Sequence, residues 1–119
     1  MKRILAVEDN ENNMYLIRII LQKNGFEVIE ARDGGAGVEL AVKEKPDLIL
    51  MDIQLPVLDG YEATKRIKAR EEIKDIPVIA LTSYAMAGDR EKAMNIGFDG
   101  YIEKPINPET IIAEIKKFL

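Results

Sequence analysis

Short apolar runs alternate along this chain with longer segments in which apolar residues recur every three or four positions. The runs are too short for helices, and continuous apolar residues are typical of strands buried on both faces of a sheet. These runs cover residues 4–7, 28–29, 48–51, 77–81 and 101–102. The pattern therefore predicts five buried strands.

Segments with helical spacing lie between the runs and after the last one. In the first, Met14, Ile17 and Leu21 fall at i, i+3 and i+7, and Gly25 is a C-terminal stop. The other internal segments cover residues 34–45, 61–70 and 88–96. Strands alternating with helices predict one α/β domain over residues 1–119, a doubly wound five-stranded parallel sheet flanked by five helices.

The last helix has the clearest start signal in the chain. Asn107 is a favoured N-cap residue, and Pro108 then takes the first helical position. The apolar residues that follow form an inner stripe of Ile111, Ile112, Ile115 and Phe118.

Composition narrows the functions that this fold can carry. The chain has no cysteine and no histidine, which excludes disulfides, thiolate metal sites, histidine-based catalysis and a phosphohistidine carrier. A net charge of −4 argues against a surface for nucleic acid or anionic membrane. The first apolar run is too short for a signal peptide or membrane span. We therefore expect a cytoplasmic protein that binds neither nucleic acid nor membrane.

Polar side chains follow four of the five predicted strands. In a parallel sheet the carboxyl ends of the strands lie at one edge, and ligands bind outside that edge. The residues there are Glu8 and Asp9, then Asp52, then Thr82 and Ser83, and finally Glu103 and Lys104. The second strand lies outside this set if it takes an edge position.

The convergence of these residues indicates phosphoryl chemistry. A single strand-end aspartate is usually a turn or cap residue, and Asp9 or Asn10 alone fits a cap of the first helix. Three carboxylates at one edge repel each other, and oxygen ligands without histidine or cysteine favour Mg²⁺, with Mn²⁺ as an alternative. Lys104 and Thr82 beside such a cluster suit a phosphoryl group. Asp52, which is central among the strands, is the candidate nucleophile.

The chain resembles the receiver domain of two-component response regulators in four ordered blocks: VEDN (7–10), PDLILMDIQLPVLDG (46–60), PVIALTSYA (77–85) and GYIEKPI (100–106). The resemblance covers essentially the whole chain and is nearest to single-domain regulators of the DivK type and to receivers of hybrid kinases. It implies a flavodoxin-like fold with strand order 2-1-3-4-5.

The resemblance also implies a role for each residue at the strand ends. Asp52 accepts a phosphoryl group from the phosphohistidine of a histidine kinase or a histidine phosphotransferase. The magnesium ligands are Glu8, Asp9, Asp52 and the backbone carbonyl of Gln54. Lys104 pairs with the phosphoryl oxygens, Thr82 donates its hydroxyl to them, and Tyr101 turns inward as Thr82 moves. The bond between Lys104 and Pro105 is expected to be cis.

Partner contacts follow from the same resemblance. The kinase or phosphotransferase is expected to dock on the first helix and on the loop after Lys104, at the candidates Asn10, Asn13, Leu16 and Ile106. For Leu16, a place in the core is slightly favoured. Because no further domain follows Leu119 in this sequence, we expect the output to run through contacts with a protein effector.

Two residues are candidates for tuning the lifetime of the phosphorylated form. Gln54 and Tyr84 flank the expected path of the hydrolytic water, and we hypothesise that the bulky Tyr84 slows dephosphorylation. Without a histidine of its own, the chain has to receive its phosphate from another protein or from a small acyl phosphate.

Three other functions compete with this interpretation. In a flavin-binding module of the same sheet class, Glu8 and Asp9 would repel the cofactor's phosphate. An aspartate-dependent phosphohydrolase typically has a second aspartate at the position of Gln54, which cannot donate a proton effectively. A pseudo-receiver, an interaction module that does not use phosphate, is the hardest alternative to exclude, although every expected site residue is present.

Overall fold

A computed structural model describes residues 1–83 and 88–119 of the chain. In these ranges strands and helices alternate strictly. The strands are β1 (Arg3–Val7), β2 (Glu27–Ala31), β3 (Leu48–Asp52), β4 (Val78–Thr82) and β5 (Gly100–Glu103). The helices are α1 (Glu11–Lys23), α2 (Gly34–Glu44), α3 (Gly60–Lys68), α4 (Asp89–Ile96) and α5 (Pro108–Lys116).

The sheet has the order β2-β1-β3-β4-β5, and each of its strand pairs is parallel. This confirms the predicted architecture and the edge position of the second strand. The register pairs Asp52 with Leu81 and Thr82 with Glu103, so neighbouring strands end at nearly the same level. The polar ends of β1, β3, β4 and β5 therefore meet at one edge.

Helices cover both faces of the sheet. Leu48 and Leu50 of β3 pack in the cluster that holds the buried faces of α1 and α5, whereas Ile49 and Met51 pack in the cluster with α2, α3 and α4. Each of these four side chains is fully buried. Burial on both faces explains why the strand sequences are continuously apolar.

The helix boundaries follow local capping chemistry. Asn107 accepts a hydrogen bond from the backbone N–H of Thr110, and Pro108 opens α5, as predicted. The buried inner stripe of α5 is Ile111 and Ile115, while Ile112 and Phe118 are partly buried. No helix in the described ranges is both long and apolar enough to span a membrane.

Two site residues lie one step further inside the sheet than the apolar runs indicate. Asp52 and Thr82 are the last residues of β3 and β4 rather than the first residues after them. Strand pairing continues beyond them, because Ile53 N–H donates to Leu81 O over 2.9 Å and Lys104 N–H donates to Thr82 O over 2.7 Å. Both side chains are therefore carried on hydrogen-bonded backbone.

The loop after β3 turns back sharply over the strand end. Gly60, at the start of α3, donates its N–H to Ile53 O at 3.0 Å. A Cβ atom on Gly60 would lie 2.2 Å from Asp52 O, so only glycine permits this approach. The peptide between Lys104 and Pro105 is cis, as expected.

Candidate functional site

A cavity of about 330 Å³ opens at the edge where the strands end. It is lined by Glu8, Asp9, Asn10, Asn13, Asp52, Gln54, Ser83 and Lys104. Thr82, at the end of β4, is 2% exposed and is not one of the lining residues. The structure therefore brings together most of the site residues that the sequence analysis singled out, with Thr82 beneath the surface.

An ion triad forms the floor of this cavity. Lys104 Nζ lies 2.7 Å from Glu8 Oε1 and 3.1 Å from Asp52 Oδ2. The side chain of Lys104 is 10% exposed, and those of Glu8 and Asp52 are nearly completely buried. Two buried carboxylates thus share one ammonium group, which leaves an excess of negative charge.

Burial changes the protonation of the triad. Burial, followed by the hydrogen bond and the negative charge of Glu8, outweighs the Lys104 ammonium, and together these effects raise the pKa of Asp52 to about 7. Burial by itself lowers the pKa of Lys104, but its contacts with Glu8 and Asp52 outweigh that effect, so the Lys104 pKa is raised. The Asp52 carboxyl therefore gains or loses its proton close to pH 7, while Lys104 stays charged.

The acidic residues have the arrangement of a divalent-cation site. Glu8, Asp9 and Asp52 each present a carboxylate oxygen, and these oxygens lie within 4.8 Å of one another. These carboxylates lie beside a single ammonium, that of Lys104, which is 2.7 Å from the buried Glu8 Oε1 and 3.1 Å from Asp52 Oδ2. An oxygen-only cluster with more negative than positive charge fits a hard cation such as Mg²⁺. The backbone carbonyl of Gln54 as a further ligand stays a prediction.

Gln54 links the ends of β3 and β4 beside the cavity. Its backbone N–H donates to Asp52 Oδ1 at 3.0 Å, and its side-chain Nε2 donates to Thr82 Oγ1 at 3.3 Å. Gln54 was predicted from the sequence as a metal ligand and as a residue that tunes hydrolysis, and nothing in the sequence signals this side-chain bond. Tyr84, the other candidate for tuning hydrolysis, lies outside the described residues.

Tyr101 already points into the protein. It is 7% exposed, and the Arg90 guanidinium lies 5.9 Å from the centre of its ring. Burial raises the pKa of the Tyr101 phenol, with a smaller contribution from the charge of Asp89. Its motion together with Thr82 stays a prediction.

The candidate partner contacts occupy different environments. Asn10 and Asn13 line the cavity, although the Asn10 side chain also caps α1 by accepting from Asn13 N–H. Leu16 is 38% exposed, so the preference for a core position was wrong. The sheet covers only the stripe around Ile17, and Leu16 is rotated away from it by about 100°. Ile106 is 9% exposed and belongs to the same core cluster as the buried residues of α1 and α5.

Two exposed apolar residues were missed by the sequence analysis. Tyr15 on α1 is 61% exposed, and Val57 in the loop after β3 is 96% exposed. The position of Tyr15 outside the buried stripe was a readable signal. Val57 has a φ of 66°, which is unusual for a β-branched residue and which the sequence does not reveal.

Comparison with known proteins identifies the family to which the sequence is similar. The family described as the response regulator receiver domain matches residues 4–116. The polar-differentiation response regulator DivK of Brucella anthropi is 47% identical over 118 residues, covering 99% of this chain and 96% of that protein. Its counterpart in Brucella abortus (strain 2308) is 48% identical with the same coverage.

Solved structures agree with this assignment. The receiver domain of the sensor histidine kinase PA1611 from Pseudomonas aeruginosa PAO1, with a magnesium ion coordinated in its active-site cleft, has a TM-score of 0.91 and is 39% identical. That comparison covers 98% of this chain and 96% of the other. The chemotaxis protein CheY4 of Vibrio cholerae has a TM-score of 0.94 and 30% identity, covering 100% and 99% of the two chains.

Proposed function

This chain belongs to the response regulator receiver domain family, and we propose that it acts as a phosphoacceptor. Asp52 receives a phosphoryl group from the phosphohistidine of a histidine kinase or a histidine phosphotransferase, and the phosphorylated form signals through protein contacts. The observation that carries this proposal is the buried triad of Asp52, Glu8 and Lys104 at the floor of an open cavity.

The reaction is an in-line phosphoryl transfer. A carboxylate oxygen of Asp52 forms a bond to phosphorus as the P–N bond of the partner's phosphohistidine breaks. The electron pair of that bond returns to the imidazole, which takes a proton from solvent. Such transfers have loose transition states, so the protein acts mainly by positioning and by neutralising charge.

The residues of the triad supply these two effects. The Gln54 backbone N–H and the Lys104 ammonium each contact one oxygen of the Asp52 carboxylate, which fixes its orientation. Lys104 also favours the ionised form of Asp52 that attacks phosphorus, and then pairs with a phosphoryl oxygen. We propose that Thr82 donates its hydroxyl to another of these oxygens.

Glu8, Asp9 and Asp52, together with the Gln54 carbonyl, are the proposed ligands of Mg²⁺. When bound there, Mg²⁺ would supply positive charge that offsets the phosphoryl oxygens beside the carboxylates. The fit rests on the oxygen-only cluster and on its excess of negative charge over the single ammonium of Lys104.

The partner is proposed to dock around the mouth of the cavity. Asn10 and Asn13 line it, and the exposed Tyr15 and Leu16 continue the surface along α1. Val57 adds a fully exposed apolar side chain on the loop after β3. Aromatic and aliphatic anchors next to a polar site are typical of protein interfaces.

Incubation with acetyl phosphate and Mg²⁺, followed by intact-mass analysis, tests the proposal. The wild type should gain one phosphate, Asp52→Asn should gain none, and Asp75→Asn, which changes an exposed aspartate away from the site, should behave like the wild type. A wild type that takes up no phosphate from acetyl phosphate or from a phosphorylated histidine phosphotransferase contradicts the proposal and supports the pseudo-receiver.

A further inference from the structure

We propose that Gln54 acts as a latch on Thr82. In the unphosphorylated protein the Gln54 side-chain amide holds the Thr82 hydroxyl, and this bond opens before the hydroxyl reaches a phosphoryl group on Asp52. The proposal rests on the phosphoacceptor function proposed above and gives Gln54 a positioning role that acts through Thr82.

The contact joins two strand ends that are distant in sequence. Gln54 Nε2 donates to Thr82 Oγ1 at 3.3 Å across 28 residues of chain. The backbone N–H of Gln54 is itself held by Asp52 Oδ1 at 3.0 Å. Gln54 therefore contacts both Asp52, the proposed phosphoacceptor, and the Thr82 hydroxyl that is proposed to donate to the phosphoryl group.

The two residues in this contact differ in burial. Thr82 is 2% exposed and does not line the cavity, while Gln54 lies on the surface and is one of the lining residues. The residue that contacts the hydroxyl is thus itself part of the cavity wall. On this proposal the amide moves aside when Thr82 turns to donate to a phosphoryl group on Asp52.

The hydrogen bond between Gln54 and Thr82 is expected to be weak. A neutral hydrogen bond at 3.3 Å is long, and the exposed Gln54 amide regains water as a partner when the bond opens. A weak bond of this kind shifts a conformational equilibrium by about two- to fivefold. Removing it should make the phosphoryl-bound state easier to reach by the same factor.

The bond itself is tested by NMR without phosphate or metal. The chain has three threonines, so ¹³C-methyl labelling reports Thr82 together with Thr64 and Thr110 as internal references. Gln54→Met keeps the length of the side chain but cannot donate. The Thr82 methyl should shift, while the two references stay in place. An unchanged Thr82 methyl overturns the latch.

The coupling is tested by binding of beryllofluoride, a phosphoryl analogue, with Mg²⁺. Gln54→Met should bind about two- to fivefold more tightly than the wild type, and Gln54→Ala, which also shortens the side chain, at least as tightly. Gln22→Met, at an exposed site near the end of α1, is the matched control and should match the wild type.

A Thr82→Val background shows whether Gln54 acts through Thr82. There, Gln54→Met should no longer change the affinity for beryllofluoride. Equal tightening in both backgrounds overturns the proposal, because Gln54 would then act directly on the analogue. No tightening in the wild-type background overturns it as well.

The two proposals fail in different ways. If the wild type binds no beryllofluoride, the phosphoacceptor function fails and the latch has no phosphoryl group on which to act. If the wild type binds it while Gln54→Met leaves both the affinity and the Thr82 methyl unchanged, only the latch fails.

Discussion

Two of the charge clusters among the described residues behave in opposite ways. At the strand ends, Lys104 pairs with two carboxylates that are nearly completely buried. On the surface formed by α1 and β2, Arg18 and Arg32 pair with Glu30, and Arg32 also pairs with Glu11. In this second cluster the side-chain exposures range from 23% to 71%.

The balance between burial and counter-charges decides the sign of the pKa shifts in the two clusters. The pKa of Glu30 is lowered, first by its hydrogen bond to Arg18, because its contacts with Arg18 and Arg32 outweigh the effect of burial. The pKa of Asp52 is raised to about 7, because burial and Glu8 together outweigh Lys104. In the exposed cluster two arginines balance two glutamates, whereas in the buried cluster one lysine faces two carboxylates, so a further positive charge would stabilise it.

The largest expected effect comes from removing the single cation of the buried cluster. Lys104→Met leaves Glu8 and Asp52 buried together without a counter-charge. We expect a loss of about 2–3 kcal/mol of unfolding free energy at pH 8, near the lower end for breaking a buried pair because the cavity admits water. Urea unfolding measures it, and the loss should shrink at pH 5, where Asp52 is protonated. An equal loss at both pH values contradicts this account.

A pH series on Asp52→Asn sharpens the comparison further. The folded pKa of about 7 lies above the ordinary 3.8, so the folded state binds more protons and the Asp52 contribution to stability falls as pH rises from about 4 to 7. Asparagine cannot ionise. In the presence of a chelator, the unfolding free energy of Asp52→Asn should therefore match that of the wild type near pH 4. Above pH 7 it should be higher by about 2 kcal/mol, a figure reduced from the full pKa shift because solvent in the cavity screens the charge.

The unfolding free energy of both proteins, measured by urea titration at each pH, checks this result. A constant difference between Asp52→Asn and the wild type from pH 4 to 8 would show that the Asp52 pKa is not raised in the folded protein.

Magnesium should distinguish the two clusters. At a Mg²⁺ concentration ten times the dissociation constant, we expect the wild type to gain about 1.4 kcal/mol of stability. Asp9→Asn should lose most of this gain, since it removes one of the three clustered carboxylates. Glu11→Gln, in the surface cluster, should keep it. Thermal unfolding across a Mg²⁺ titration gives the comparison, and an equal response in both variants would point to non-specific binding.

The smallest effect is expected at the exposed cluster. Arg18→Met removes the principal partner of Glu30, and salt already screens such a pair. The unfolding free energy should change far less than in Lys104→Met. The lowered Glu30 pKa adds stability above its ordinary 4.5 that is lost as pH falls, so the variant should differ most near neutral pH and converge with the wild type in acid. A difference that grows in acid contradicts this.

Much of the fold was readable from local patterns. Apolar runs and caps such as Asn107 with Pro108 depend on nearby residues, so they predicted every strand and helix in the described ranges to within a few positions. The strand-end rule also placed Glu8, Asp9, Asp52 and Lys104 together, because parallel strands share one direction. The same rule placed Thr82 at this edge without showing that it is covered.

The features that the sequence did not predict correctly depend on contacts between distant parts of the chain. Leu16 was favoured for the core, but only the docking of α1 on the sheet decides which side of the helix is covered. The backbone turn that exposes Val57 is formed by the loop as a whole. The bond from Gln54 to Thr82 requires β3 and β4 to lie side by side.

The sequence by itself determined which chemical groups reach the edge of the sheet, since a strand carries each side chain to a position set by its own length and direction. Only the tertiary structure decided how these groups are charged and covered. Burial next to Glu8 raises the pKa of Asp52, and the Gln54 amide donates to the Thr82 hydroxyl. Solvation and contact depend on all the surrounding atoms, and those are assembled only when the chain folds.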